Sequence, residues 1–130
     1  MKAKITLGVR ILLGLAFTAA GLAGLLQLAP PPTDLPEPMM KFTEGMAASV
    51  YFMPFLKAVE TICGLLLLSG YFVPLALVIL APIVIHIFLV HAFMAPEGLP
   101  VALILGGMTA YLAFFAESYR GKIRALFVPR

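Results

Sequence analysis

The strongest constraint on this chain of 130 residues is that four long apolar runs take up most of it. Each run approaches the roughly 20 residues needed to cross the hydrocarbon layer of a bilayer. Inside hydrocarbon the backbone N–H and C=O groups find no water, so a crossing segment must satisfy them within itself, and a helix does so. The runs place spans at about residues 5–28, 48–69, 74–93 and 99–116. The expected fold is an all-α, four-helix transmembrane bundle forming one domain over residues 1–130, with the lipid bilayer as its first partner. Composition agrees, because 12% of the residues are charged where a soluble domain carries about 25%. With no soluble domain left over, the net charge of +3 reads as membrane topology and not as a nucleic-acid signal.

The N-terminal segment holds Lys2, Lys4 and Arg10 before a glycine- and alanine-rich apolar run. A basic start followed by alanines resembles a secretory leader with cleavage near Ala20 or Ala23. Apolar residues continue past that point, so the segment reads as a first span. Gly14, Gly21 and Gly24 recur on this run at spacings that let helices approach closely, which is read here as ordinary packing. Residues 29–38 (APPPTDLPEP) carry prolines that each fix φ and remove a donor, which predicts an extended link on the membrane surface. Residues 39–49 mix apolar side chains with Lys41 and Glu44 and suggest a short interfacial helix. The turn Gly70–Pro74 is too short to leave the surface, and Pro74 suits the first turn of the next helix. Pro82 lies inside the third span and predicts a kink there. The tail carries Glu117, Arg120, Lys122, Arg124 and Arg130. Both ends are basic, whereas the loops with Asp34, Glu37, Glu44 and Glu97 are acidic. Lysine and arginine mark the cytoplasmic side, so an even number of spans puts both termini in the cytoplasm, with a bacterial inner membrane as the expected location.

Within the second run, Lys57 and Glu60 stand one helical turn apart. A charge in hydrocarbon costs several kcal/mol and turns toward the bundle interior and a partner. At i and i+3 the two share a face and can pair. Two readings stand side by side: a neutralised pair that fixes helix registry, and a carboxylate that carries protons or accepts a ligand. His86 falls near the same depth, Arg10 nearer one face and His91 nearer the other, which sketches a polar column through the bundle. Arg10 either snorkels back to the headgroups or turns inward toward a carboxylate. His86 and His91 are five residues apart, roughly 140° around a helix, so they do not share a face for a metal site. Haem between two histidines would need another histidine on a second span, and no other span has one. No metal site is expected, nor any covalently bound cofactor. Cys63 lies alone in an apolar run and is not read as a redox thiol. The chain has no phosphate-binding loop, serine-hydrolase elbow, zinc-protease or dinucleotide motif.

Several stretches together resemble the DoxX family: RILLGLAF (10–17) with Ala20-Gly21-Leu22, FLKAVE (55–60) with GLLLLSGYFVPLA (64–76), and PIVIH (82–86) with His91-Ala92-Phe93 and PEGLP (96–100). The resemblance covers nearly the whole chain. It implies a small integral membrane protein associated with oxidoreductase assemblies, including quinone-reducing thiosulfate oxidation, with a quinone or another lipid as ligand and oxidoreductase subunits as partners. It carries Arg10 and Glu60 over as functional positions. Where the family often has a lysine soon after a first-helix glycine, Gly24 stands here. The resemblance does not by itself make the chain an enzyme. Beside a membrane subunit or anchor of an oxidoreductase assembly stand a binding protein or small transporter for an apolar or weakly acidic ligand, gripped by Lys57, Glu60 and Arg10, and a purely structural module. A homo-oligomer is a further expectation.

Overall fold

Where each apolar run begins and ends is decided by the polar and proline-bearing stretches between them. The computed structural model describes residues 2–26 and 36–127. The helices are α1 (Lys2–Leu25), α2 (Glu37–Ala48), α3 (Phe52–Ser69), α4 (Val73–Phe93), α5 (Leu99–Ala110) and α6 (Glu117–Ala125). A 3₁₀ turn at Pro96–Gly98 leads into α5, and a π-helical turn at Tyr111–Phe115 continues it. No strand occurs among the described residues. Four stretches are long and apolar enough to cross a membrane: Ala3–Leu25, Phe52–Ser69, Val73–Phe93 and Pro96–Phe115.

The boundaries differ from expectation in instructive places. The link predicted at 29–38 lies outside the described residues except for its end, and that end is helical. Glu37 opens α2 after Pro36, with proline in its first turn. There the missing N–H costs nothing, because first-turn donors have no helical acceptor. The expected interfacial helix is thus longer at its start. The second span starts at Phe52 and not near residue 48, because α2 runs to Ala48 and the chain then breaks at Val50, whose φ is 72°. Ser49 stitches the break: its hydroxyl donates to Met46 O at 2.7 Å and accepts from the Phe52 N–H at 3.1 Å. α3 ends on Gly70 at φ 83°, a left-handed conformation that glycine adopts without Cβ strain. α4 continues as helix through Pro82. Within the basic tail, expected only as a charged segment, Glu117–Ala125 form α6 after Ala116 turns the chain with an extended backbone, and Arg130 lies outside the described residues.

α1 packs along α3, α3 on α4, α4 on α5, and α5 returns to α1, so the spans close into a ring. The core at its centre draws Leu13 and Phe17 from α1, Cys63 and Leu67 from α3, Leu77 and Leu80 from α4, and Leu112 from the π turn. Leu12, Leu15, Ile62, Leu65, Ile85 and Ile104 point outward. In water such a surface would be a liability; against acyl chains it is the matching solvent.

The α1–α3 contact is the tightest in the molecule. A Cβ built on Gly14 would lie 2.9 Å from Gly64 O, and one built on Gly64 would lie 2.5 Å from Thr18 N. Glycine at these positions lets the two backbones touch, which is how helices gain packing energy in a lipid environment.

Candidate functional site

The intramembrane charge pair is formed as its spacing suggests. The Lys57 ammonium donates to Glu60 Oε2 at 3.2 Å. Glu60 is 4% exposed and is one of the few buried polar residues in the chain. The lysine side chain is more open, at 22%. Both residues belong to α3, so the pair ties no helix to another.

What holds the lysine in place comes from α1. Its stem lies across Gly24, where an added Cβ would sit 2.5 Å from Lys57 Cδ. One turn earlier, a Cβ on Gly21 would lie 2.7 Å from Thr61 N and 2.8 Å from Lys57 O. Thr61 donates its hydroxyl to that same Lys57 carbonyl at 2.8 Å. Gly21 and Gly24 therefore clear the volume in which the lysine folds down beside α1. The place where the family resemblance led one to look for a lysine is filled by the stem of Lys57, reaching over from α3.

On its other side Glu60 borders a groove of about 210 Å³ between α3 and α4. Phe52, Leu56, Pro82, Ile83, His86 and Ile87 complete its lining. Pro82, which lines the groove, has no N–H to give, so the Val78 carbonyl one turn before it lacks its usual helical donor. His86 lies at the exposed rim, with the Phe42 ring of α2 packed on it at a centroid distance of 5.3 Å and a tilt of 41°. Glu60 and His86 thus share one groove, and α2 covers part of its mouth.

The other two residues singled out from the sequence lie elsewhere. His91 is held by its own helix, with Nδ1 donating to Ile87 O at 2.8 Å, and its ring packs against Gly98. Arg10 does not meet a carboxylate among the described residues. Its Nη1 donates to the Tyr119 hydroxyl at 3.4 Å, and its guanidinium lies against the Gly70 turn, 2.9 Å from where a Cβ there would be. The Arg10 Nε and the Thr18 hydroxyl are buried without a partner. Arg10 and His91 thus have partners of their own, apart from the groove that Glu60 and His86 share. Sequence reasoning missed Tyr111 and Tyr119, which tether α1 to the far end of the chain: the Thr6 and Tyr111 hydroxyls share a hydrogen bond of 3.1 Å. Among the described residues, no three His, Cys, Asp or Glu side chains come together as a metal site.

A deprotonated carboxylate beside an ammonium, in a groove walled by apolar side chains, can accept a hydrogen bond from a hydroxyl or amine and can hold a proton in its place. A model of the DoxX family matches residues 5–92, which takes in Arg10, Lys57, Glu60, His86 and His91. No curated protein and no solved structure matches the chain.

Proposed function

The chain belongs to the DoxX family of membrane proteins, and from that premise we propose that it is a membrane subunit or anchor of an oxidoreductase assembly whose Glu60 groove receives the head of a quinone or similar lipid-soluble molecule. The observation that carries this reading is the buried Lys57–Glu60 pair bordering a groove that also holds His86.

The residues fit such a ligand. At about 210 Å³ the groove takes a quinone head and is smaller than the roughly 300 Å³ at which pockets begin to enclose whole drug-sized ligands. The tail would lie outside, among lipids. Leu56, Ile83 and Ile87 offer the ring apolar contact, and Glu60 accepts from a ring hydroxyl of the reduced, quinol form. Lys57 keeps the carboxylate compensated in hydrocarbon, and His86 stands at the exposed rim of the groove. A quinone supplies two-electron, two-proton redox chemistry when bound. This chain's residues would orient the ring and hold a proton at Glu60 Oε1 or Oε2, with electrons arriving from a partner subunit.

A registry role for the ion pair explains less, since registry needs a bond between helices and both partners sit on α3. The location proposed is the bacterial cytoplasmic membrane with both termini inside. Its support is that Lys4 and the cations of α6 lie at the chain's two ends, whereas Glu37, Glu44 and Glu97 lie between spans.

The test is retention of ubiquinone or menaquinone by protein extracted gently with native lipid, measured by chromatography of the organic extract, together with affinity capture of redox partner subunits. Wild-type protein should retain quinone at near one per chain, and Glu60→Gln should lose most of it without losing its thermal transition. Wild-type protein that captures neither quinone nor redox partner, or a Glu60→Gln variant that retains quinone fully, would overturn the reading.

A further inference from the structure

A second cavity, larger than the Glu60 groove and opposite in chemistry, lies between α4, α5 and α6. It encloses about 720 Å³, within the roughly 300–1,000 Å³ of pockets that hold small molecules. Its floor is low because the residues there are small: Ala81 on α4, and Gly106, Gly107 and Ala110 along α5. At one end Phe114 and Phe127 close on each other, with centroids 6.3 Å apart. No charged residue lines the cavity. Thr109 is its single hydroxyl, and that hydroxyl already donates to Leu105 O at 2.8 Å. Whatever occupies this space must be hydrocarbon along its length.

The end of the cavity is different. α6 shows it Ile123, and the turn that follows adds Leu126 and Phe127, which together make an apolar edge. Helical spacing sets Arg120 and Arg124 together, at i and i+4, along one flank of that edge, and both are exposed. α6 is docked firmly, because Ile123 is buried in the core and Tyr119 is held by Arg10. An apolar trough flanked at one end by two exposed cations on a docked helix matches a molecule with a hydrocarbon body and an anionic head. We propose that this cavity binds one acyl chain of an anionic phospholipid, with the phosphate met by Arg120 and Arg124. A basic amphipathic helix at the bilayer surface is suited to such a headgroup, and each cation there favours an anionic lipid by about fivefold. The site is separate from the Glu60 groove and stands without the quinone reading.

The test is native mass spectrometry of the full chain released from micelles containing equal dioleoylphosphatidylglycerol and dioleoylphosphatidylcholine. Wild-type protein should retain one lipid, with phosphatidylglycerol preferred by about twenty-five-fold for two cations. The double variant Arg120→Gln/Arg124→Gln should bring that ratio close to one while still retaining a lipid. Gly107→Leu should expel lipids of both kinds by filling the trough. A Cβ at Gly107 meets nothing within 4 Å, so the fold has room for the new side chain. Equal retention of the two lipids by wild-type protein would overturn the proposal. So would retention unchanged in both variants. A Gly107→Leu variant that turns a dimer into a monomer with lipid retention unchanged would assign the cavity to a second copy of the chain instead.

Discussion

Replacing Lys57 by Met should destabilise the protein sharply, although the pair itself contributes little. Met preserves most of the stem that lies over Gly24 and removes only the charge. At the observed 3.2 Å, two unit charges in an effective dielectric of 20 attract by about 5 kcal/mol. Withdrawing both from water costs several kcal/mol each, so the intact pair comes out close to neutral. Without the ammonium, Glu60 keeps its desolvation cost and loses the attraction. Removal of one partner of a buried pair typically costs about 3–5 kcal/mol. Insertion scales give about 2.5–3.5 kcal/mol for an uncompensated charge at a span centre. Both routes converge near 3 kcal/mol, about a hundredfold in the folded-to-unfolded ratio. Glu60→Gln should cost less, because the Lys57 side chain is the more exposed partner. The double variant Lys57→Met/Glu60→Met should return close to wild-type stability. The assay is equilibrium unfolding of purified protein in mixed micelles, followed by helical circular dichroism. A double variant as unstable as Lys57→Met alone would refute the reasoning, since the loss would then come from packing and not from an orphaned charge.

Gly64→Leu should separate α1 from α3, because even a Cβ there lies 2.5 Å from Thr18 N, and overpacking of this kind costs about 1–3 kcal/mol or more; a thermal melt should show the drop, with Gly8→Ala, whose Cβ meets nothing within 4 Å, as the neutral control. Tyr119→Phe removes the acceptor for Arg10 Nη1 and should cost about 0.5–1.5 kcal/mol, seen as faster hydrogen exchange across α6 with little change in α3. Single cysteines at Ser118 and at Glu44, in a Cys63→Ala background, should label from opposite sides of sealed spheroplasts; labelling of both from one side would overturn the proposed topology.

The spans were legible because hydrocarbon leaves a chain few options, and long apolar runs then declare themselves. What escaped the sequence was set by packing across distance in the chain. α6 is amphipathic and basic, and its helical pattern is easily taken for a charged tail until Ile123 is seen buried. The break at Val50 puts a β-branched residue at positive φ, which local propensity argues against. Lys57 and Glu60 were legible from spacing alone, since a helix brings i and i+3 together. The role of Gly21 and Gly24 was not, because it depends on which face of α1 meets α3. The partner of Arg10, a tyrosine hydroxyl 109 positions away, is likewise beyond the reach of local spacing.

The placement of the pair on one helix divides the bundle into two unequal halves. α1 and α3 interlock through Gly14, Gly21 and Gly64, with backbone against backbone. That half fixes the lysine, and the lysine fixes the carboxylate. The opposite wall of the groove is α4, which meets α3 far less intimately and carries Pro82 beside the site. α2, which reaches over with Phe42, buries none of its residues. Charge is therefore held on the rigid side and access lies on the looser one. A ligand entering between α3 and α4 would displace apolar contacts and the Phe42 ring while leaving the ion pair in place. This arrangement keeps an intramembrane carboxylate compensated whether or not the groove is filled.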